Sequence, residues 1–338
     1  MNDILKIVKS LQKNYGSLRI AGTDVKDKEY ISTGNCGFDL ALGGGIAWGY
    51  VSEFAGLSGT GKTTILQLML ANAQKKYNAI GIWVDREKAF FNDRAKNLGI
   101  DLDRTIVINP ENITTVPEVT QFLNDILKDI SPDTYKFIAI DSISAFSDTA
   151  KIDKSDMGRK AQQLHRLFRT IIPYINNKSS LNFSNQVTFK TGVVFGDPKT
   201  VTGGESPKYY STYRLMLDDK KLIKDDKRGG EIIGNWLQAT VIKTRQGPNR
   251  RIVVFPHYYS SGVLYYGGYT RLLVDRNYLK PKNAAEFNKF AQTTVIYKDK
   301  KFNVDDIETI LKEFPELNFS NYPEYNIDNQ QIVEDENE

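Results

Sequence analysis

Hydrophobic and polar positions set out the middle of the chain before any motif is considered. "VSEFAG" (51–56), "AIGIWVD" (79–85), "RTIVINP" (104–110) and "KFIAID" (136–141) are short, nearly continuous apolar runs. Such runs are expected of strands covered on both faces. Between them lie two stretches of helical character. "KTTILQLMLANAQKKY" (62–77) carries Ile65, Leu66, Leu68, Met69 and Ala73 on or near one face and ends in lysines, and "PEVTQFLNDILKDI" (117–130) has Pro117 in its first turn. Strand and helix alternate from about 31 to 145, which predicts an α/β fold with a mainly parallel central sheet flanked by helices.

The character changes after residue 150. "MGRKAQQLHRLFRTIIPYI" (157–175) predicts a helix with a stripe of Leu164, Leu167, Phe168, Ile171 and Ile172. The segment 178–210 is polar and reads as loop, including "FGDPKTVTGGESPKYYS" (195–211). "STYRLMLDD", "WLQATVIKTR", "RRIVVFPHYY" and "GVLYYGG" then read as strands, and a smaller helical region including "VDDIETILKEF" (304–314) follows. At the other end, "MNDILKIVKSLQKNYG" predicts a short amphipathic helix and "YGSLRIAG" (15–22) a strand. The expected organisation is an N-terminal helix and strand (1–30), a core domain (31–280), a small C-terminal α/β domain (281–320) and an acidic, disordered tail (321–338).

Composition adds limits. The chain of 338 residues is 40% hydrophobic and 25% charged, enough for a sizeable core. It has no uncharged apolar run of membrane-spanning length. One cysteine, Cys36, excludes an internal disulfide, fits a reducing, cytoplasmic setting, and with only His165 and His257 argues against structural zinc. Net charge is +4, but residues 324–338 hold six acidic side chains and no Lys or Arg, which leaves the body at +10. A basic body with an acidic tail fits a polyanionic partner.

The strongest chemical signal is "GLSGTGKT", Gly56 to Thr63, which fits G-x-x-x-x-G-K-[ST] between a strand and a helix. Glycines let backbone N–H groups converge on phosphate oxygens at the positive end of a helix. Gly56, Ser58, Gly59, Thr60, Gly61, Lys62, Thr63 and Thr64 are the nucleotide-binding candidates. Lys62 is placed for the β- and γ-phosphates and the Thr63 hydroxyl for Mg²⁺. Asp141, at the end of "KFIAID", is placed as the metal-side carboxylate. Asp85 and Glu87 follow a neighbouring strand, and either can position the attacking water; spacing does not choose. In "KTRQGPNRR" (243–251), Lys243 and Arg245 share one face if the strand reaches both, a pair suited to γ-phosphate charge in cis or from another subunit. "VLYYGGY" (263–269) places tyrosines beside glycines, for core, interface or base stacking.

Several stretches together resemble the RecA recombinases of bacteria: "ISTGNCGFDLALGGGIAWGYVSEFAGLSGTGKTT" (31–64), "VDREKAF" (84–90), "NLGIDLD" (97–103), "AIDSISAF" (139–146), "NQ" (185–186) and "GVVFGDPKTVTGGESPKYYSTYRL" (192–215). The first is shared with other RecA-fold ATPases; the last is more specific to recombinases. The resemblance implies a RecA-type P-loop ATPase core, with ATP and Mg²⁺ at Lys62, Thr63 and Asp141. It assigns the catalytic carboxylate to Glu87, γ-phosphate sensing to Gln186, and nucleotide contact across a subunit interface to Lys243 and Arg245. Tyr266 and Gly267 match a pair near the nucleotide. Two DNA-contacting loops are implied, one at Met157 and Gly158 with Arg159 and Lys160, the other at about 187–208 with Lys190, Phe195, Lys199, Gly203 and Gly204. The N-terminal strand would pack on the next subunit. Phe91 and Arg94 stand where the family has an aspartate and a tyrosine at the adenine side, and Gln162 stands for a family arginine. The C-terminal domain matches poorly, a divergence that a phage or plasmid version would show.

The reading implied is an ATP-dependent recombinase. It would form helical filaments on single-stranded DNA, pair them with double-stranded DNA, exchange strands, and hydrolyse ATP when DNA is bound, without any membrane association. The rivals are a RecA-fold ring ATPase, such as a helicase or motor, and a non-catalytic protein switched by ATP. The 192–215 stretch speaks against the first and Glu87 against the second.

Overall fold

The computed structural model describes residues 2–15, 28–147, 156–189, 199–245, 247, 249–288 and 294–318. The expected strand at 15–22, the candidates Lys190 and Phe195, and the acidic tail lie outside these residues. In chain order the elements begin with α1 (Asn2–Tyr15), β1 (Tyr30–Ile31), α2 (Cys36–Leu42), β2 (Ile46–Ala47), β3 (Val51–Gly56), α3 (Lys62–Tyr77), β4 (Ile80–Asp85), α4 (Asn92–Asn97) and β5 (Thr105–Ile108). Next come α5 (Val116–Asp129), β6 (Lys136–Asp141), α6 (Asp156–Ile171), β7 (Ser179–Phe189), β8 (Lys199–Val201), α7 (Ser206–Tyr210), β9 (Tyr213–Asp225) and β10 (Glu231–Lys243). The last are β11 (Ile252–Tyr258), β12 (Gly262–Val263), α8 (Tyr269–Asp275), β13 (Lys280–Pro281), α9 (Ala284–Asn288), β14 (Thr294–Tyr297), β15 (Lys300–Asn303) and α10 (Ile307–Glu313).

One sheet organises the molecule, in the order β12-β11-β10-β9-β3-β7-β6-β4-β5, with β8 paired to β7. From β9 to β5 neighbouring strands run parallel; β10, β11 and β12 continue antiparallel. Alternating side chains divide the strands between two cores, as a period of two requires. Trp83 and Phe137 join Phe54, Ile65, Leu66 and Met69 under α3. Ile82, Ile138, Ile140, Leu181 and Phe183 join Val119, Leu123, Leu164, Leu167 and Phe168 under α5 and α6. Helix α3 is buried around most of its circumference rather than along one stripe, because β1 and β12 contact it in addition to the parallel strands.

The polar segment expected to be loop is the main departure. Ser179–Phe189 is a central strand, paired on both sides with β3 and β6. Its odd positions Leu181 and Phe183 are buried in the α5–α6 core. Ser180, Asn182, Ser184 and Asn185 are also fully buried. Each takes part in a side-chain hydrogen bond: Asn182 donates to Ser180 Oγ at 3.0 Å, Asn185 donates to Glu53 Oε1 at 2.9 Å, and Ser184 donates to Asp141 Oδ1, while the Asn182 and Asn185 side-chain oxygens have no partner among the described residues. Within 195–211, Lys199–Val201 is a strand and Ser206–Tyr210 a short helix, so the stretch is only partly loop. "GVLYYGG" is strand only at Gly262–Val263; the glycines beyond it form a turn into α8.

Glu53 is itself a buried carboxylate. The guanidinium of Arg214 on β9 donates to its Oε2 at 2.5 Å, which joins the two strands flanking the sheet centre. An unpaired carboxylate here would cost several kcal/mol. The C-terminal region, expected to be a small α/β domain, contains a three-stranded sheet β13-β14-β15 followed by α10. Tyr269, Leu272 and Leu273 of α8 pack with Val295, Ile310, Leu311 and Phe314, so this core begins before residue 281. No described helix is long and apolar enough to cross a membrane.

Candidate nucleotide site and its link to the β7–β8 hairpin

The phosphate loop connects β3 to α3 at the carboxyl edge of the parallel strands, where open α/β sheets bind ligands. Gly59 and Gly61 have φ of +80° and +75°, conformations that L side chains rarely adopt, and a Cβ at Gly59 would meet nothing within 4 Å. Gly61 caps α3 without a side-chain bond, so the first-turn N–H groups point into the loop. Ser58 is exposed; the Thr60 hydroxyl donates to Leu57 O at 2.9 Å and holds the turn.

Lys62 is buried and folds back onto its own loop, donating to Gly56 O at 3.1 Å and Leu57 O at 2.7 Å. Burial lowers its pKa, opposed by the charges of Glu87 and Asp141. Thr63 donates to Asp141 Oδ2 at 2.7 Å, and the Asp141–Ser142 peptide is cis. Burial pushes the Asp141 carboxyl up to about 6 despite the bonds from Ser184 and Thr63. A cation facing the cradle, with a hydroxyl and a carboxylate at its edge, suits Mg²⁺ and a polyphosphate.

Asp85 and Glu87 separate by environment. Asp85 is buried and accepts the backbone N–H groups of Glu87 at 3.2 Å, Ala89 at 3.1 Å and Phe90 at 3.0 Å. It is committed to shaping the turn. Glu87 is exposed, with Ser142 Oγ donating to its Oε1 at 2.5 Å, beside the metal-side carboxylate.

Gln186 pairs in register with Gly56, so it stands next to the first residue of the phosphate loop. From there β7 runs on to Phe189 and returns as β8, with Val187 opposite Val201 and Phe189 opposite Lys199. Asn185, one residue before Gln186, donates to Thr202 O at 3.0 Å as well as to Glu53. The returning strand is thereby tied to β3. Gly203 and Gly204 form the turn after it and pack on Leu164 and Ala161 of α6. Arg159 and Gly158 are exposed at the start of α6. Lys160 instead donates to Ser144 O at 2.8 Å and Phe146 O at 2.9 Å, anchoring α6 to the loop after β6. Met157 is described only as backbone of α6.

Lys243 and Arg245 do not share a strand face: β10 ends at Lys243, after a register shift, and Arg245 lies exposed beyond it. Gly56 pairs with Leu217 and Lys243 with Arg214, so Lys243 stands level with Glu53, three β9 residues or about 10 Å from the phosphate-loop end of the strands. Its ammonium donates to Lys208 O at 2.8 Å, and burial and the nearby Arg245 and Arg214 lower its pKa. Tyr266 packs against Tyr265 and Tyr269, and Gly267 O accepts from Asn35 Nδ2 at 2.8 Å. This turn is part of the C-terminal core more than of the cradle.

Sequence reasoning missed His257. It is buried in β11, its Nδ1 lies 2.8 Å from Asn235 Oδ1, and its Nε2 lies 3.3 Å from Thr64 Oγ1. Asn235 donates through Nδ2 to Asp219 Oδ1 at 3.2 Å, so its oxygen faces the imidazole; the network thus assigns the proton to Nδ1. Arg94 Nη2 donates to Thr64 Oγ1 at 2.9 Å, leaving the Thr64 proton for His257 Nε2. Donors therefore run in one direction, from Arg94 through Thr64, His257 and Asn235 to Asp219. A polar residue inside the apolar run "IVVFPHYY" was the available signal, since buried imidazoles need partners.

The chain was compared with known proteins. Residues 2–264 match the family described as RecA N-terminal domain. Protein RecA of Chloroherpeton thalassium is 32% identical over 286 residues, covering 82% of this chain and 77% of that relative. Protein RecA of Streptomyces coelicolor is 33% identical over 262 residues, 76% of this chain and 67% of that relative. The similarity to Protein RecA of Acinetobacter baylyi is 29% over 319 residues, 90% of this chain and 88% of that relative.

Burial and the charge of Arg94 lower the His257 pKa from 6.5 to about 4. Between those values the unfolded chain binds the extra proton, so this group costs no stability above pH 6.5 and removes stability as pH falls toward 4. Urea denaturation at pH 7 and pH 5 should show the native protein losing about 2 kcal/mol more than the non-titrating His257→Gln variant. Equal losses in the two proteins would show that His257 is not held neutral.

Proposed function

The chain belongs to the RecA family, and from that premise we propose that it is an ATP-dependent DNA recombinase working as a filament on single-stranded DNA. It is a DNA-dependent ATPase that pairs the bound strand with homologous duplex and exchanges strands. The family match sets aside the ring-ATPase alternative. One observation carries the reading for this chain's own residues. Gln186, next to the phosphate loop, opens a hairpin whose returning strand is bonded to β3 through Asn185 and Glu53. Whatever fills the phosphate loop bears directly on the base of that hairpin.

In this reading Gly56 to Thr64 bind the triphosphate of ATP through backbone N–H groups, with Lys62 turning from its carbonyls to the phosphates. Thr63 and Asp141 would hold Mg²⁺, which when bound would supply neutralisation of the phosphate charge. Glu87, held by Ser142, orients the attacking water and takes its proton. Asp85 keeps Glu87 in place by fixing the turn. Gln186 reports the γ-phosphate to the hairpin. The DNA-facing groups are Met157, Gly158 and Arg159 at the start of α6, and the 187–208 hairpin with Lys190, Phe195, Lys199, Gly203 and Gly204. Arg and Lys contacts and close backbone approach give salt-dependent, sequence-neutral binding. Lys160 contributes by holding α6 against the β6 loop.

Lys243 stands level with Glu53 rather than with the phosphate loop, and Arg245 lies beyond the end of β10. They serve the nucleotide of the adjoining subunit. A head-to-tail contact of this kind, repeated without closure, builds a helical filament. ATP at the junction then holds subunits together, and its hydrolysis releases them.

Hydrolysis of ATP and strand exchange, measured with and without single-stranded DNA, test the reading. DNA should stimulate hydrolysis in the native protein, and the absence of both stimulation and ATP-dependent DNA binding would reject it. Glu87→Gln should lower kcat by about 100-fold or more while filaments persist on DNA. Rapid loss of those filaments would count against Glu87 as the base. Lys243→Ala with Arg245→Ala should abolish ATP-dependent assembly, seen by light scattering, while the circular dichroism spectrum and unfolding temperature of the monomer are retained. Normal assembly by that folded variant would remove both residues from the junction.

A further inference from the structure

The turn after β6 is gripped by cations from two directions. It leaves Asp141 through Ser142 and closes with the Ala145 N–H donating to Ser142 O at 3.2 Å. The three carbonyls that follow Ile143 all accept from positive groups. Lys160 Nζ donates to Ser144 O at 2.8 Å and to Phe146 O at 2.9 Å. Arg86 Nη2 donates to Ala145 O at 3.4 Å, and its guanidinium lies over the Phe146 ring, 5.5 Å from the centroid. Arg86 Nη1 also ties down Pro110 O and Ile113 O, each at 2.7 Å. Arg86 is the residue before Glu87, and Lys160 is the residue after Arg159. One turn therefore joins the segment carrying Glu87 to the start of α6.

The directions of the bonds continue the link. Ser142 Oγ donates to Glu87 Oε1 and lies 2.7 Å from Ser144 Oγ. A hydroxyl has one proton, so a Ser142 that donates to Glu87 accepts from Ser144. Donors thus run from Ser144 through Ser142 to Glu87, and the Ser144 carbonyl is an atom that Lys160 grips. Glu87 is exposed, whereas Ser142 is fully buried, so the carboxylate takes its orientation from the turn. Ile143, between the two serines, shares a core with Leu164 and Phe168 of α6. Close-packed interiors transmit strain, so a shift of the helix is felt at the turn.

Arg159 and Lys160 differ by about 100° around α6. Arg159 is exposed, and Lys160 reaches back to the turn. We propose that Lys160 is the positioning residue through which DNA at the start of α6 sets Glu87 for hydrolysis, acting by way of Ser144 and Ser142. The inference rests on the DNA-dependent ATPase reading above and assigns its regulation to named side chains. A carboxylate that orients water tolerates little displacement, since a misplacement of about 1 Å can cost about 100-fold in rate. The pull of a phosphate on Arg159 passes one residue along a helix to an ammonium fastened to two carbonyls of the turn. This relay is separate from Gln186. It enters through α6 and the turn after β6 rather than through β7, and it acts on the rate of hydrolysis.

Steady-state ATP hydrolysis by the full chain, with and without saturating single-stranded DNA, tests the proposal. Anisotropy of labelled DNA with a non-hydrolysable ATP analogue supplies the affinity. Lys160→Met keeps most of the stem and removes the ammonium. It should lower kcat on DNA by about tenfold, with KM for ATP and DNA affinity within about twofold of native. Ser144→Ala leaves α6 and its lysine intact, and should lower kcat on DNA by about fivefold with KM and DNA affinity retained. The double variant should be within about twofold of Lys160→Met, because groups on one path are not additive. A multiplicative loss in the double variant would overturn the proposal. So would a fall in DNA affinity that accounts for the lost rate of Lys160→Met, or a native rate in Ser144→Ala. If Lys160→Met does not fold, Ser144→Ala decides on the same kcat, KM and affinity readings. A native protein whose hydrolysis ignores DNA would remove the DNA-dependent ATPase reading itself, whereas failure confined to the variants removes only the relay.

Discussion

The buried carboxylate of Asp141 is the constraint around which the site is built. It ends β6 and accepts hydrogen bonds from Thr63, in the first turn of α3, and from Ser184 on β7. Burial alone would drive such a group toward its neutral form, and the two hydroxyls offset part of that cost. Three elements must therefore meet at one point for the carboxylate to be tolerated. Their meeting fixes the phosphate loop against the carboxyl edge of the sheet. It also explains a polar strand at the sheet centre: β7 supplies Ser184 to Asp141 and Asn185 to Glu53, so its polar residues are partners rather than exposed positions.

The parallel half of the fold was legible because its strands are buried on both faces and read as apolar runs. The phosphate loop was legible because its chemistry restricts residue types at fixed spacing. The central strand β7 was not, since Ser180, Asn182, Ser184 and Asn185 are buried through hydrogen bonds to one another, to Asp141 and to Glu53, and only three-dimensional pairing reveals that. The same holds for Glu53 and Arg214, which are far apart in sequence and bonded across β3 and β9. Spacing left Asp85 and Glu87 as equals; the structure divides them by burial and by the three backbone donors that occupy Asp85. A strand period suggested that Lys243 and Arg245 act as a pair on one face, but β10 ends between them. His257 was considered only for zinc, although its place within an apolar strand called for partners.

Two segments give the site its reach. Residues 85–94 place Glu87 beside Ser142 and the metal-side carboxylate, and Arg94 against Thr64 of the phosphate-loop helix. Residues 186–202 leave the phosphate loop at Gln186 and come back to β3 through Asn185.

The central claim is that occupancy of the phosphate loop is transmitted to the DNA-facing hairpin through Gln186. Fluorescence anisotropy of labelled single-stranded DNA, titrated with and without a non-hydrolysable ATP analogue, tests it in the native protein and in Gln186→Ala. Nucleotide should tighten DNA binding by about tenfold or more in the native protein, a typical coupling magnitude, and by less than about twofold in the variant. The same tightening in both proteins would contradict the account.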